Sequence, residues 1–77
     1  MAKKASFSRD YQRFCRLLRD ARHSAGFTQQ ALAKLLRRPQ SYVSKYELAE
    51  RRLDVIEFLH ICRTLSVDPA QLLDQIR

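Results

Sequence analysis

Four residues with hydrogen-bonding chemistry stand close together in this chain: Gln40, Ser41, Ser44 and Lys45. On a helix advancing about 100° per residue they share one sector with Leu48, while Tyr42, Val43 and Tyr46 fall on the opposite one. An amide, two hydroxyls and an ammonium on one helix face suit the edges of base pairs. Glutamine can bond adenine bidentately, lysine can donate to guanine, and serine can serve several bases. No carboxylate enters the sector, and Glu47 lies off its edge. A phosphate-lined groove would repel an acid placed centrally. A solvated amphipathic helix has the same period, so the choice of polar residues is what favours a groove-facing element.

Other reactive side chains form no set. His23 and His60 are isolated, and no neighbouring residues complete a metal site or a nucleophile–base pair. The expectation is therefore a protein that is not an enzyme, with no cofactor and no metal. Cys15 and Cys62 lie far apart, outside any CxxC pair and among apolar neighbours at helical spacing. They read as buried reduced thiols, not as a staple.

The charge around the polar helix is lopsided. The 77 residues carry +7, but residues 1–52 hold 13 basic and 4 acidic side chains, while residues 53–77 hold 2 and 4. The first part is thus +9 and the second −2, which directs a polyanion to the first part. No apolar run approaches the roughly 20 residues needed to span a bilayer. The charged start at Met1–Ser6 is followed by no apolar stretch, so it does not read as a signal peptide. The expected location is the cytoplasm, without membrane attachment.

One glycine and two prolines leave few turn signals, and the apolar residues recur at helical spacing. Ser8 is a candidate N-cap for a first helix ending at Ala25, with Tyr11, Phe14, Leu18, Ala21 and Ala25 as its inward stripe, joined by Cys15 and Leu17. Gly26 follows where a left-handed residue would stop it. Thr28 opens a second helix, Gln29 to Leu36, with Ala31, Leu32, Leu35 and Leu36 inward. Pro39 suits the first turn of a third helix running to about Leu48. Asp54 with Glu57 resembles a capping box for a fourth helix through Leu65. Asp68-Pro69 opens a fifth, carrying Leu72, Leu73 and Ile76 inward. Residues 1–7 read as a flexible basic arm and residues 8–77 as a single all-α domain of five helices.

Two short helices separated by a three- or four-residue turn form a helix-turn-helix, and here the sequence resembles a known family. Phe27-Thr28-Gln29-Gln30-Ala31-Leu32-Ala33-Lys34-Leu35-Leu36, followed by Pro39-Gln40-Ser41-Tyr42-Val43-Ser44-Lys45-Tyr46-Glu47, is similar to the Cro/repressor (XRE-type) family. That family often reads L-T-Q-x-x-L-A-x-x-L, then S-Q-S-x-I-S-x-x-E. The similarity continues through Leu59–Asp68 and covers roughly residues 13–73. It implies a compact, five-helix, lambda-repressor-like DNA-binding domain.

By position, the resemblance implies base contacts for Gln40, Ser41 and Lys45. It implies DNA-backbone contacts for Gln29, Ser44, Arg51 and Arg52, and a buried salt bridge between Arg22 and Glu47. Arg37 and Arg38 in the turn add two cations near the expected backbone. Arg37 occupies a position where the family favours Gly, Pro39 replaces a frequent Ser/Thr cap, and Ala49 replaces another frequent Gly.

The leading expectation is a sequence-specific transcriptional regulator, a repressor, that binds double-stranded DNA as a homodimer on a (pseudo)palindromic operator. The Leu-, Ile- and Phe-rich fourth and fifth helices would supply the dimer surface. The alternative from another class is an antitoxin-type interaction module that neutralises a partner protein and autoregulates its operon. Little of the chain lies outside the helix-turn-helix to wrap such a partner.

Overall fold

The computed structural model describes residues 8–76, so the expected arm at 1–7 lies outside the described residues. Five helices follow one another: α1 (Arg9–Ser24), α2 (Gln29–Leu36), α3 (Gln40–Glu47), α4 (Val55–Leu65) and α5 (Pro69–Asp74). All but α3 begin where a side chain can satisfy otherwise orphaned backbone N–H groups. Ser8 Oγ accepts from Tyr11 N at 3.1 Å and Thr28 Oγ1 from Ala31 N at 3.0 Å. Asp54 and Glu57 form a reciprocal capping box: Glu57 N donates to Asp54 Oδ1 at 2.7 Å, and Asp54 N donates to Glu57 Oε1 at 3.0 Å. Asp68 Oδ1 accepts from Ala70 N at 2.9 Å, with Pro69 in the first turn. Pro39 precedes α3 without a side-chain cap.

The first four helices end in the same double hydrogen bond. Phe27, Arg38, Glu50 and Val67 donate backbone N–H to the carbonyls of Arg22, Ala33, Lys45 and Cys62 at 2.8–3.1 Å. The residue before each donor is left-handed: Gly26 (φ 83°), Arg37 (φ 59°), Ala49 (φ 59°) and Ser66 (φ 58°). Only Gly26 adopts that conformation without a Cβ penalty.

Cys15, Leu18, Leu32, Val43, Tyr46, Ile61 and Cys62 are fully enclosed. Phe14 packs against Phe58 at 5.1 Å between centroids with the rings tilted by 57°, and Tyr42 meets Tyr46 edge-on at 5.6 Å. Both cysteines are free, buried thiols, and burial pushes the Cys62 thiol up to about 11. Among the described residues no helix is long and apolar enough to cross a membrane.

Several expected inward positions differ. In α2 the buried residues are Leu32 and Ala33, whereas Ala31 and Leu35 are exposed, Leu35 by 57%. The helix is only two turns long, and its contact side is centred on the small Ala33, which joins the core with Tyr42 and Val43. In the last helix only Leu72 is buried, because α5 stops at Asp74. Leu73, one residue or about 100° further round, faces out, and Ile76 sits half-buried in the following turn. Ala25 is exposed beyond the end of α1, whose inner side includes Arg22 instead.

Candidate nucleic-acid interface

The turn Arg37–Pro39 places α3 against α2, and the inner side of α3 is held by Tyr42, Val43 and Tyr46, all 7% exposed or less. That packing turns Gln40, Ser41, Lys45 and Leu48 to the surface and leaves Ser44 half-buried. The polar sector and the apolar sector are thus separated by the burial of two tyrosines and a valine. The structure brings the three residues expected at base edges onto one exposed face.

Beneath that face runs a chain of hydrogen bonds. Arg22 Nε donates to Glu47 Oε2 at 2.7 Å and Arg22 Nη2 to Glu47 Oε1 at 3.0 Å. This bidentate pair joins α1 to α3, and its side chains are 7% and 3% exposed. Arg22 Nη1 also donates to the Phe27 carbonyl at 2.9 Å. The Glu47 carboxylate, by accepting those bonds, holds the Arg22 guanidinium above its ordinary pKa.

Gln29, at the start of α2, donates Nε2–H to Glu47 Oε1 at 2.9 Å. Its amide oxygen therefore remains to accept from Gln40 Nε2 at 3.3 Å. A carboxylate cannot accept from a carbonyl, so the ion pair sets which way the Gln29 amide faces. Gln29 in turn sets which end of the Gln40 amide it meets. Gln40 keeps its carbonyl oxygen and one N–H, the donor–acceptor pair that matches an adenine edge.

A groove of about 440 Å³ runs beside the face, lined by Arg38, Pro39, Ser41, Tyr42, Lys45, Glu50 and Arg51. Arg51 pairs bidentately with Glu57, at 3.1 and 3.0 Å, and Arg38 Nη2 reaches the same carboxylate at 3.2 Å. Arg52 is exposed, with its guanidinium carbon 4.9 Å from the Tyr11 ring centroid. The Tyr11 hydroxyl fixes the loop carrying both arginines, donating to the Arg51 carbonyl and accepting from Leu53 N, each at 2.9 Å. Burial raises this phenol to about 12. Arg37 is exposed at the left-handed end of α2.

Sequence reasoning did not single out three of these residues for the interface. Glu57 was legible only as a capping residue, Tyr42 only as core, and Tyr11 only as part of a stripe. Their roles depend on side chains meeting across 6 to 42 residues of chain, for which a single sequence carries no local signal. Among the described residues no group of three or more His, Cys, Asp or Glu could hold a metal ion.

Comparison with known proteins is consistent with this geometry. A family described as a helix-turn-helix domain matches residues 13–75. No curated protein sequence matches the chain. Among solved structures, an XRE-family like protein from Pseudomonas syringae pv. tomato is 55% identical, with TM-score 0.81, over 87% of this chain and 82% of its own. The restriction-modification controller protein C.AhdI from Aeromonas hydrophila is 29% identical, with TM-score 0.77, over 84% and 98%. The clp gene regulator ClgR from C. glutamicum shares the fold at 23% identity, with TM-score 0.82, over 95% and 94%. A family match across most of the chain, a majority-identical structural relative and an exposed polar second helix of the motif agree: this chain belongs to the XRE-like helix-turn-helix family of DNA-binding transcription regulators.

Proposed function

We propose that the chain is a binding protein, not an enzyme, that represses transcription by occupying a (pseudo)palindromic operator as a homodimer. In this reading α3 enters the major groove with Gln40, Ser41 and Lys45 at base edges. Gln29, Arg37, Arg38, Ser44, Arg51 and Arg52 meet the sugar-phosphate backbone. The observation that carries it is the Gln40 amide, exposed on α3 yet held through Gln29 by a buried ion pair. A merely solvated glutamine would have no such support.

One helix reads only a few base pairs, so a second copy supplies length and affinity. An apolar groove of about 400 Å³ between α1, α4 and α5, lined by Phe14, Leu53, Val55, Phe58, Leu59 and Leu73 among others, supports pairing through this side. Val55, Ile56 and Leu73 expose 69%, 58% and 44% of their surface there or beside it.

The test is selection of bound duplexes from a random pool, followed by Gln40→Ala. We expect a two-fold symmetric site. We also expect loss of about 1–3 kcal/mol of discrimination at one base pair per half-site. Unchanged discrimination removes α3 from the recognition role.

A further inference from the structure

The carboxylate of Glu57 does more than cap α4. It accepts three bonds from two arginines that belong to different loops: two from Arg51 and one from Arg38, between 3.0 and 3.2 Å. The two guanidinium carbons lie 4.3 Å (Arg38) and 4.7 Å (Arg51) from the centroid of the same Tyr42 ring. Exposure is divided unevenly. The Glu57 side chain is 15% exposed, while those of Arg38 and Arg51 are 43% and 35% exposed. The cluster therefore shelters its negative charge and presents its two positive ones, in the same groove as Ser41 and Lys45.

We propose that Glu57 is a positioning residue for DNA-backbone contact, a shared counter-ion that holds Arg38 and Arg51 against Tyr42 beside the base-reading face. This rests on the DNA-binding reading given above. Held in place, the two cations meet phosphates without first losing the rotamer freedom of two long side chains. The ionised state of Glu57, whose pKa its arginines depress to about 2, persists throughout the neutral range. Arg51 has a further restraint, since its Nη1 also donates to the Arg52 carbonyl at 3.0 Å.

Electrostatics alone predicts the reverse. Removing a negative charge near a polyanion raises affinity, whereas removing a positioning group lowers it. Glu57→Gln separates the two, because glutamine still serves the capping box at this helix position. Using a duplex selected by the wild-type protein, we expect E57Q to bind about 5- to 20-fold more weakly at 0.1 M salt. The log Kd against log salt slope should become shallower by about 1–2, the contribution of one or two phosphates. Arg51→Ala, which leaves Glu57 and its cap intact, should weaken binding by a similar factor and lower the slope by about 1. Combined with E57Q it should add less than its separate effect.

E57Q binding equal to or tighter than wild type with an unchanged slope overturns the proposal, and so does R51A binding as tightly as wild type. Circular dichroism at the assay temperature verifies that both variants are folded. A wild-type protein that binds no duplex in a salt-dependent manner removes the DNA reading itself. Wild type that binds while both variants match it removes the role of Glu57 and the backbone contact of Arg51, and leaves the DNA reading standing.

Discussion

Replacing Glu47 by alanine isolates what the buried ion pair contributes. The Arg22 guanidinium donates twice to Glu47, at 2.7 and 3.0 Å, and once to the Phe27 carbonyl at 2.9 Å, and its Nη2 lies 3.4 Å from His23 Nε2. Glu47→Ala deletes the first two and strands a cation whose side chain is 7% exposed. Removing one partner of such a pair costs about 3–5 kcal/mol, mainly because the remaining charge stays desolvated. A 77-residue domain has roughly 4–12 kcal/mol in total at typical stability per residue. The variant should therefore lose about a quarter or more of its stability, with a fall in Tm of roughly 12–40 °C.

The companion variant is Arg22→Met with Glu47→Leu, which buries no charge. It should be within about 1 kcal/mol of wild type or more stable. Its DNA affinity should still fall, because Gln29 has lost the carboxylate that orients it. Urea titrations followed by far-UV circular dichroism give both stabilities. If E47A costs less than about 1 kcal/mol, or the double variant is as unstable as E47A, desolvated charge is not what the pair guards against.

Four further outcomes follow from particular atoms. Ser66→Gly relieves a left-handed backbone at φ 58° and should gain about 0.5–1 kcal/mol, the penalty of about 1–2 less the extra chain entropy of glycine. Ala49→Gly should gain less, because the methyl of a buried alanine is lost, and thermal melts that rank the two the other way refute this. Tyr46→Phe should be neutral or stabilising by about 1 kcal/mol, since the Tyr46 hydroxyl is buried without a hydrogen-bond partner. A loss above 1 kcal/mol shows the hydroxyl to be satisfied. The depressed pKa of Glu57, about 2 against an ordinary 4.5, stabilises the fold fully above about pH 4.5. That contribution fades as pH drops toward 2. E57Q should flatten this acid limb in denaturation measured across pH 2–5, and identical limbs refute it.

The boundaries of the helices were legible because caps and stops are local chemistry: Ser8, Thr28, Asp54 and Asp68 each bond a backbone amide two or three residues on. The polar face of α3 was legible for the same reason, as eight residues suffice to define its two sectors. What the sequence did not disclose lies across the chain. Leu35 and Leu73 look like core residues by size and spacing, but a helix of eight or six residues can bury only the turn its neighbours reach. Glu57 reads as a cap until Arg38 and Arg51 are seen converging on it. Strain was half visible: Arg37 and Ala49 stand where the family favours glycine, while Ser66 joins them only through its dihedral angle.

The hydrogen-bond chain from Arg22 to Gln40 divides the recognition face into two parts that can change at different rates. Ser41, Lys45 and Leu48 are exposed and, among the described residues, carry none of the bonds that join the helices. Exchanging them alters what the helix meets while leaving the fold untouched. Gln40 is different. A residue there that cannot donate to Gln29 leaves the Gln29 amide held from one side only, by the buried ion pair. New binding preferences should therefore be reached first by diversifying positions 41, 45 and 48, with position 40 changing only together with position 29.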